Sequence, residues 1–305
     1  MRSESDPESP AVPASCSASR SVGVAMLIAV SVLWSLGGLS VKTAKMNPMA
    51  FAFYRCVAAA VPMAVLALFS AGRRPTAGWM SLSAVVYTLV VTPFIAAMTL
   101  GTAASGILLQ YTSPAFCALF AWLFFSKRID RRTLLAIIIA TAGVGIMLAF
   151  DRIGQSLLGP SLGLLSGVAF GALPLVLSQL DRRCDGRANP FLIVLFNNLG
   201  AAVILLPICL YYRVLEVRAW QLALVAATGA FQLALPYVLF QLALRRVSPV
   251  DSALLILFEP ILNPVWVYLF VGETPGRGTI IGGIAILAAL VIEATKPKDL
   301  PDNKQ

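Results

Sequence analysis

Apolar residues run along the chain in ten long blocks that are nearly free of charge, and short polar segments separate one block from the next. A helix needs about 20 mostly apolar residues to cross the hydrocarbon core of a membrane, and the blocks are of about that length. We therefore predict ten transmembrane helices, near residues 22–41, 48–71, 79–100, 104–126, 133–150, 158–179, 190–212, 220–243, 249–271 and 278–295.

The two ends of the chain differ from these blocks. Residues 1–20 are polar and rich in Ser and Pro, a composition typical of disordered segments, so we predict a disordered cytoplasmic tail there. The first apolar block is too long for a typical signal-peptide core, and no convincing cleavage site follows it, which favours its retention as a helix. Residues 296–305 are predicted to form a second, short cytoplasmic tail.

Composition excludes a soluble globular protein. The chain is 59% apolar and 12% charged, whereas soluble domains average about 45–50% apolar and about 25% charged residues. The absence of histidine excludes a Ser-His-Asp triad and histidine zinc sites. The five cysteines form no Cys-x-x-Cys pair, so neither a metal cluster nor a disulfide framework is expected. We predict a protein that is not an enzyme and uses no cofactor.

Positive charges are distributed unevenly between the loops. Sixteen Lys and Arg residues fall on the side of the predicted membrane that holds the amino terminus, and six fall on the opposite side. Because cytoplasmic loops carry the excess of Lys and Arg, both termini are predicted to be cytoplasmic, in a bacterial inner membrane. This topology accounts for the net charge of +9. The expected partners are therefore membrane lipids and a small-molecule substrate, and no nucleic acid.

The second half of the chain repeats the first. At a shift of 146 residues Pro114 falls on Pro260, and further upstream Asn47-Pro48 resembles Asn189-Pro190. The predicted repeats, of five helices each, span residues 22–150 and 158–295. An odd number of helices makes successive copies enter the membrane from opposite sides. The predicted fold is therefore all-α and integral to the membrane, with ten transmembrane helices as two inverted five-helix repeats, an architecture of secondary transporters.

Several segments in both halves resemble those of one transporter family. They are Trp34-Ser35 followed by Lys42, Phe53-Tyr54-Arg55, Leu108 to Pro114, Ala253 to Pro260, Gly272-Glu273 and Gly282-Gly283. In order and spacing these segments resemble the EamA-type ten-helix members of the drug/metabolite transporter superfamily. The resemblance implies two five-helix repeats, cytoplasmic termini and export or import of small metabolites. One departure is Ser126-Lys127, which stands where the first repeat of the family usually has a Gly-Glu pair.

Glu259 is the main candidate for a functional residue. It falls near the middle of the ninth predicted helix, beside Pro260, and carboxyl groups at membrane depth usually face the interior of the helix bundle. Asn263 and Trp266 follow four and seven residues later on the same helix face, and Ser252 precedes it by seven. This face suits the wall of a cavity. The alternative is a protonated carboxyl that only bonds a neighbouring helix.

Arg55 and Trp34 are candidates nearer the opposite membrane surface. Arg55 could hold a substrate carboxylate or neutralise Glu259, or its long side chain could simply extend to the interface. We favour a structural or conformational role for it. Trp34 stands beside a stripe of small and polar residues on the first helix, which serves either a pathway or close helix packing.

Four further candidates lie on the fourth and eighth predicted helices. Gln110 and Tyr111 precede Pro114 on the fourth helix, which is the repeat partner of the ninth and is expected to face it. Gln232 and Tyr237 supply polar groups on the eighth helix. Hydrogen bonds between helices are the alternative role for the two residues of the eighth helix.

The predicted function is a secondary transporter that moves a small metabolite by alternating access. The substrate could be an amino acid, an amine, a carboxylate or a drug-like compound. The alternative is a flippase for lipids or lipid-linked sugars on the same helices. No phosphate-binding Gly-x-x-x-x-Gly-Lys-Ser/Thr segment is present to suggest direct use of ATP. The direction of transport, the coupling ion and the choice between monomer and homodimer stay open.

The charge bias predicts a topology that reporter fusions can test. A reporter active only outside the cytoplasm should stay silent when fused after Gln305 and be active when fused near Arg152, because sixteen of the loop charges lie on the side of the termini. Reporter activity is measured in intact cells for both fusions. The reverse pattern would overturn the predicted orientation.

Overall fold

The computed structural model describes residues 14–100, 109–150, 158–271 and 277–295. These residues form helices at all ten predicted positions, and within them the only strand-like contact is an isolated bridge between Arg73 and Ala188. The helices are α1, Ala14–Ser35 continued by Gly37–Ala44; α2, Pro48–Phe69; α3, Ala77–Leu100; α4, Ser113–Phe125; α5, Arg131–Phe150; α6, Leu158–Arg182; α7, Pro190–Tyr211; α8, Ala219–Ala227 to Leu235–Leu244 through a π-helical turn, Thr228–Ala234; α9, Pro249–Leu255 and Glu259–Val271 joined by a 3₁₀ turn, Ile256–Phe258; and α10, Arg277–Ala294.

An Asn-Pro pair begins the second helix of each half. The side chain of Asn47 accepts a hydrogen bond from the backbone N–H of Met49, and Asn189 accepts bonds from two N–H groups in the first turn of α7. Proline suits the position after such a cap because the first turn of a helix leaves its N–H groups without partners inside the helix. The two Asn-Pro pairs, which the sequence repeat aligned, therefore cap the starts of equivalent helices in the same way.

Besides the turn at Leu36 in α1, three helices are interrupted where the sequence predicted continuous ones. The described part of α4 begins at Ser113, after a turn at residues 111–112, and α9 passes through a 3₁₀ turn before Glu259. Pro114 and Pro260 follow these two breaks, and each lacks the N–H that would continue the helix. The π-helical turn of α8 is the third interruption, and no residue pattern predicted it.

The beginning of α1 also differs from the prediction. The helix starts at Ala14, inside the tail of residues 1–20 that was expected to be disordered. Pro13 immediately precedes it, and after that residue the sequence contains no further helix-breaking proline until the second helix. Residues 1–13 and 296–305, the rest of the two predicted tails, lie outside the described residues.

Helix packing follows the internal repeat. α5 packs along α10 and α2 packs along α7, which are pairs of equivalent helices. The contact of α3 with α6 has its counterpart in that of α8 with α1, and the contact of α3 with α7 in that of α8 with α2. The contact of α4 with α6 likewise matches that of α9 with α1. Exchanging the two halves of the chain therefore preserves the main helix–helix contacts, as a two-fold relation between the repeats requires.

Close glycine contacts show that equivalent helices run in opposite directions. A Cβ atom on Gly278, at the start of α10, would lie 2.5 Å from the Cβ of Phe150 at the end of α5. One on Gly143 would lie 2.8 Å from the carbonyl oxygen of Gly282. α5 and α10 are therefore antiparallel, which is the inverted arrangement that two five-helix repeats predict.

The small residues of α6 serve internal packing. A Cβ atom on Gly167 would lie 2.6 Å from the Leu109 carbonyl oxygen, and one on Gly171 would lie 2.7 Å from the Ser113 carbonyl oxygen. Both glycines let the backbone of α6 approach the region around the start of α4.

Large apolar side chains cover the outside of the bundle. Phe69 and Tyr211 are more than four-fifths exposed, whereas serine and asparagine side chains such as Ser166 and Asn198 are buried. Among the described residues, five helices are long and apolar enough to cross a membrane. This distribution is that of an all-α protein whose outer surface meets lipid.

The loops lie on two faces. On the first, which we call the terminal face, Arg73 of the α2–α3 loop donates its backbone N–H to Arg187 of the α6–α7 loop at 2.6 Å. On the opposite face the Tyr54 hydroxyl, in the second turn of α2, donates to the carbonyl oxygen of Leu215, between α7 and α8, at 2.7 Å. Gln221 of α8 also donates there to the carbonyl oxygen of Ala44, at 3.0 Å.

The α4–α6 contact predicts unequal effects of two glycine substitutions. Gly171→Ala should destabilise the protein by about 1–3 kcal/mol, because the new methyl group meets backbone atoms of α4. Gly145→Ala is the matched control, since a Cβ atom there would meet nothing within 4 Å. Melting temperatures in detergent report both effects. Equal melting temperatures for the two variants would contradict the tight packing of α6 on α4.

Candidate functional site

A cavity lies inside the helix bundle. It encloses about 970 Å³ of empty space, the part that meets solvent included. The lining residues come from α1, α2, α3, α6, α8 and α9 and from the segment before α4: Trp34, Gly37, Pro48, Phe51, Arg55, Val90, Val91, Phe94, Ile95, Gln110, Tyr111, Phe170, Gln232, Leu233, Tyr237 and Glu259. Both halves of the chain contribute, so the cavity lies between the repeats.

The cavity occupies the half of the bundle nearer the opposite face. Pro48 is the first residue of α2, and Gly37 begins the last segment of α1, both of which lie towards that face. The lining residues of α6, α8 and α9 lie near the middles of those helices. The half of the bundle towards the terminal face contributes no lining residue to this cavity among those described.

Seven of the nine residues singled out from the sequence line this one cavity, namely Trp34, Arg55, Gln110, Tyr111, Gln232, Tyr237 and Glu259. The other two lie on α9. Trp266 donates its indole N–H to the Ser35 hydroxyl of α1 at 2.8 Å and does not line the cavity. The side chain of Asn263 is outside the part of the chain that the structure describes.

Arg55 points into the bundle. Its Nη1 donates to the Oε1 of Gln232 at 3.0 Å, and its guanidinium carbon lies 5.4 Å from the centre of the Phe51 ring. Its buried Nε has no hydrogen-bond partner among the described residues. The side chain does not extend to the interface, so part of its planar donor set faces the cavity.

The π-helical turn of α8 brings Gln232 to Arg55. Gln232 lies within this turn, and its Nε2 donates to the Trp34 carbonyl oxygen at 3.2 Å. Gly229 in the same turn lies against α2, where an added Cβ atom would be 2.8 Å from the Arg55 carbonyl oxygen. π-helical turns often occur at functional sites. Here the turn connects α1, α2 and α8 through one amide side chain.

Glu259 and Tyr111 meet across the two broken helices. Both residues line the cavity, and the Glu259 carboxyl group interacts electrostatically with Tyr111 and with Arg55. Pro260 follows Glu259, and the Leu255 carbonyl oxygen before the 3₁₀ turn accepts a bond from Ser31 at 3.4 Å. The cavity wall therefore carries one guanidinium group and one carboxyl group, each with a polar neighbour.

Gln110 connects three helices at the side of the cavity. Its Nε2 donates to the Ser166 hydroxyl of α6 at 2.7 Å, and that hydroxyl donates to the Val90 carbonyl oxygen of α3 at 2.6 Å. Gln110 therefore lies on the cavity wall and also forms a hydrogen bond between helices. The neighbouring Asn198 of α7, by contrast, accepts a bond from Tyr87 at 3.0 Å and serves packing.

Aromatic rings close the cavity on the side of the terminal face. The Trp34 ring centre lies 4.9 Å from that of Tyr237, 5.8 Å from that of Phe240 and 5.9 Å from that of Phe170. Rings at such distances attract one another and exclude water. They form a floor beneath the charged residues, which we call the aromatic floor.

Comparison with known proteins identifies the family. The sequence pattern of the EamA-like transporter family matches residues 21–149 and, a second time, residues 157–294. The chain belongs to the EamA-like transporter family. It is therefore a membrane transporter of the drug/metabolite transporter superfamily, as the resemblance in the sequence predicted.

Two relatives and one solved structure are similar to this chain. An uncharacterized transporter of Archaeoglobus fulgidus is 30% identical over 210 residues, which cover 68% of this chain and 73% of the relative. An uncharacterized protein of Pseudomonas aeruginosa is 27% identical over 262 residues, covering 82% and 87% of the two chains. One crystal structure matches with a TM-score of 0.76 over 92% of this chain and 100% of its own, at 14% identity, and so shares the fold.

Some residues at the site of this EamA transporter were not predicted. Phe51, Phe94 and Phe170 line the cavity, and ordinary apolar positions in helices give no signal of such a role. Arg245 forms an ion pair with Asp181 at 2.8 Å, which the sequence did not indicate. The two partners lie 64 positions apart, at the ends of α8 and α6, which only the fold brings together.

Arg55 should matter more for transport than Lys42. Arg55→Ala should lower the rate by at least about tenfold, because a charged hydrogen bond contributes about 1.5–3 kcal/mol and this one connects α2 to Gln232 in the cavity wall. Lys42→Ala is the control at the predicted interface. The measurement is transport of a cargo found by screening, at equal membrane levels of both variants. Equal, mild losses would contradict a role for Arg55 in the cavity.

Proposed function

We propose that this transporter is a secondary transporter that moves a small metabolite across the bacterial inner membrane by alternating access. The central cavity carries the proposal, because it lies between the two inverted repeats and has a guanidinium group, a carboxyl group and several aromatic rings on its wall. Inverted repeats supply the two related conformations that alternating access needs. The charge bias of the loops supports a cytoplasmic terminal face.

The chemistry of the wall supports a charged cargo among the four classes that the sequence left open. Arg55 has donors suited to a carboxylate, and Glu259 with the Tyr111 hydroxyl suits an ammonium group. The rings of Trp34 and Phe51 offer an apolar surface beside them. A molecule that carries both a carboxylate and an amine, such as an amino acid, meets more of these groups than a wholly apolar compound would.

A metabolite screen tests this function. Export and uptake of a panel of amino acids, amines, carboxylates and drug-like compounds are compared in cells with the parent protein or its Glu259→Ala variant. A compound whose distribution depends on the parent and loses that dependence in the variant supports the proposal. A full panel without any such compound, at normal membrane levels of the parent, counts against it.

Glu259 is proposed to couple transport to protons. Loss of hydration at membrane depth disfavours a charged carboxylate, so this group is suited to take up and release a proton during the cycle. Its interaction with Arg55 ties its charge to the cargo site. Serine stands at the equivalent position 113 of the first repeat, so only one half carries the carboxyl group.

Glu259→Gln should separate binding from coupling. Glutamine keeps the size and hydrogen bonding of the side chain but cannot titrate, so the variant should reach the membrane and bind cargo. It should lose accumulation driven by a pH gradient, by about tenfold or more, as general acid-base groups contribute at least this much elsewhere. Accumulation is measured across a pH series. Accumulation equal to that of the parent would make Glu259 structural and the transporter independent of protons.

A further inference from the structure

We infer that the cargo pathway continues from the cavity to the terminal face along α8, through a second polar site at Gln241 and Ser252, and that the Asp181–Arg245 ion pair holds this half of the pathway closed. The inference rests on the proposed alternating access. It assigns functional positions to four residues outside the cavity, none of which lines it.

The first observation is a row of side chains on α8. Tyr237, Gln241 and Arg245 are spaced four residues apart, and residues at this spacing lie one above the other on a helix face. Tyr237 lines the cavity, and Arg245 reaches the terminal face as the residue that ends α8. Gln241 lies between them. The row therefore leads from the cavity to the terminal face.

The second observation concerns buried polar atoms without partners. The Nε2 of Gln241 and the Oγ of Ser252 make no hydrogen bond to any described residue, although the side chains are only 8% and 0% exposed. The two other described atoms of this kind are the Nε of Arg55, in the cavity, and the Oγ1 of Thr92, beside the cavity-lining Val91. Unpaired polar atoms thus concentrate at the cavity and below it.

Such atoms are costly unless another state satisfies them. Leaving a buried donor or acceptor unpaired costs about 1–3 kcal/mol. Ser252 lies in the segment of α9 before the 3₁₀ turn, on the terminal-face side of Glu259. When this half of the pathway opens, Gln241 and Ser252 meet water and the polar groups of the cargo. Their hydrogen-bonding capacity fits a polar or charged cargo.

The third observation is the closure of this half. The aromatic floor of Trp34, Tyr237, Phe240 and Phe170 closes the cavity above it. At the terminal face Arg245 forms an ion pair with Asp181, in which Nη2 lies 2.8 Å from Oδ1 and Nε lies 3.1 Å from Oδ2. Two closures, one apolar and one ionic, therefore separate the cavity from the terminal face.

The ion pair also connects three helices. Arg245 Nη2 donates to the Ala188 carbonyl oxygen at 2.7 Å, and the Ala188 N–H donates to Asp181 Oδ1 at 3.1 Å. The end of α8 is thereby held to the end of α6 and to the segment before α7. The two side chains are 27% and 17% exposed, so water competes less with this pair than with the Arg73–Asp185 pair on the same face, whose side chains are 59% and 72% exposed.

The internal repeat indicates which geometry the closed half would adopt if it opened. α6 and α8 at the terminal face correspond to α1 and α3 at the opposite face, and there Gly37 and Phe94 line the cavity. The same pair of equivalent helices is therefore separated by a cavity at one face and joined by an ion pair at the other. Breaking the pair is the step that would let the terminal half adopt the geometry of the cavity half.

Thiol labelling tests the pathway without any cargo. The five native cysteines are replaced by serine or alanine, and Ser252→Cys or Val91→Cys supplies one thiol in the closed half or in the cavity. The purified full-length protein in lipid nanodiscs then reacts with a small charged thiol reagent. Rates are compared in the parent background, with Asp181→Asn, and with Asp185→Asn as the matched control on the exposed pair. The amide of Asp181→Asn can still accept the Ala188 N–H, so the change isolates the charge.

We expect Asp181→Asn to speed labelling at Ser252→Cys by about tenfold, equivalent to about 1.4 kcal/mol, and to slow labelling at Val91→Cys. Asp185→Asn should change either rate by less than about twofold, as expected of an exposed pair. Arg245→Gln should act like Asp181→Asn, and the exchange of both charges, Asp181→Arg with Arg245→Asp, should return the rate towards that of the parent.

Unchanged labelling at Ser252→Cys in both Asp181→Asn and Arg245→Gln, with helix content and elution volume like the parent, would overturn the inference. An equal increase with Asp185→Asn would do the same, because general loosening of the face would then explain it. The transport screen is a separate measurement. A labelling shift without any cargo would count against the proposed function alone, and a cargo without a labelling shift would count against the pathway alone.

Discussion

The lipid environment forces every backbone N–H and C=O group to find a partner inside the protein, and the rest of the structure follows from this constraint. A chain under it can be irregular only where other protein groups or a water-filled space satisfy the freed atoms. The interruptions of α8 and α9 and the turn before α4 all lie at the cavity, where they place Gln232, Glu259 and Tyr111. Irregular backbone and functional chemistry therefore coincide.

The internal repeat also determines where the cavity lies. Two five-helix units pack through equivalent pairs of helices, so the space between them lies on the pseudo-two-fold axis. The prolines that follow both breaks occupy equivalent positions, 114 and 260, and preserve the geometry in each unit. The side chains before them differ, Ser113 in one unit and Glu259 in the other. The two repeats therefore have equivalent backbone breaks, but the side chains that precede the two prolines differ in their chemistry.

Much of this architecture was predictable because hydropathy and proline positions are local signals. The ten helical segments, the Asn-Pro starts of α2 and α7 and seven of the cavity-lining residues followed from the sequence. The π-helical turn was not predictable, since Thr228 to Ala234 reads as ordinary helix. Nor was the Asp181–Arg245 pair, because the ends of α6 and α8 meet only after the helices have packed. Contacts between distant segments leave no trace in a single sequence.

The unequal residues at positions 113 and 259 have an energetic consequence. In the proposed alternating access, two identical repeats would give two end states that are related by the two-fold axis and have the same free energy, so neither would be preferred at rest. Glu259 in one repeat opposite Ser113 in the other, together with the Asp181–Arg245 pair at the terminal face, would remove that degeneracy. Under that proposal the divergence of the two copies sets the resting population, and with it the side of the membrane from which the protein is ready to accept its next molecule.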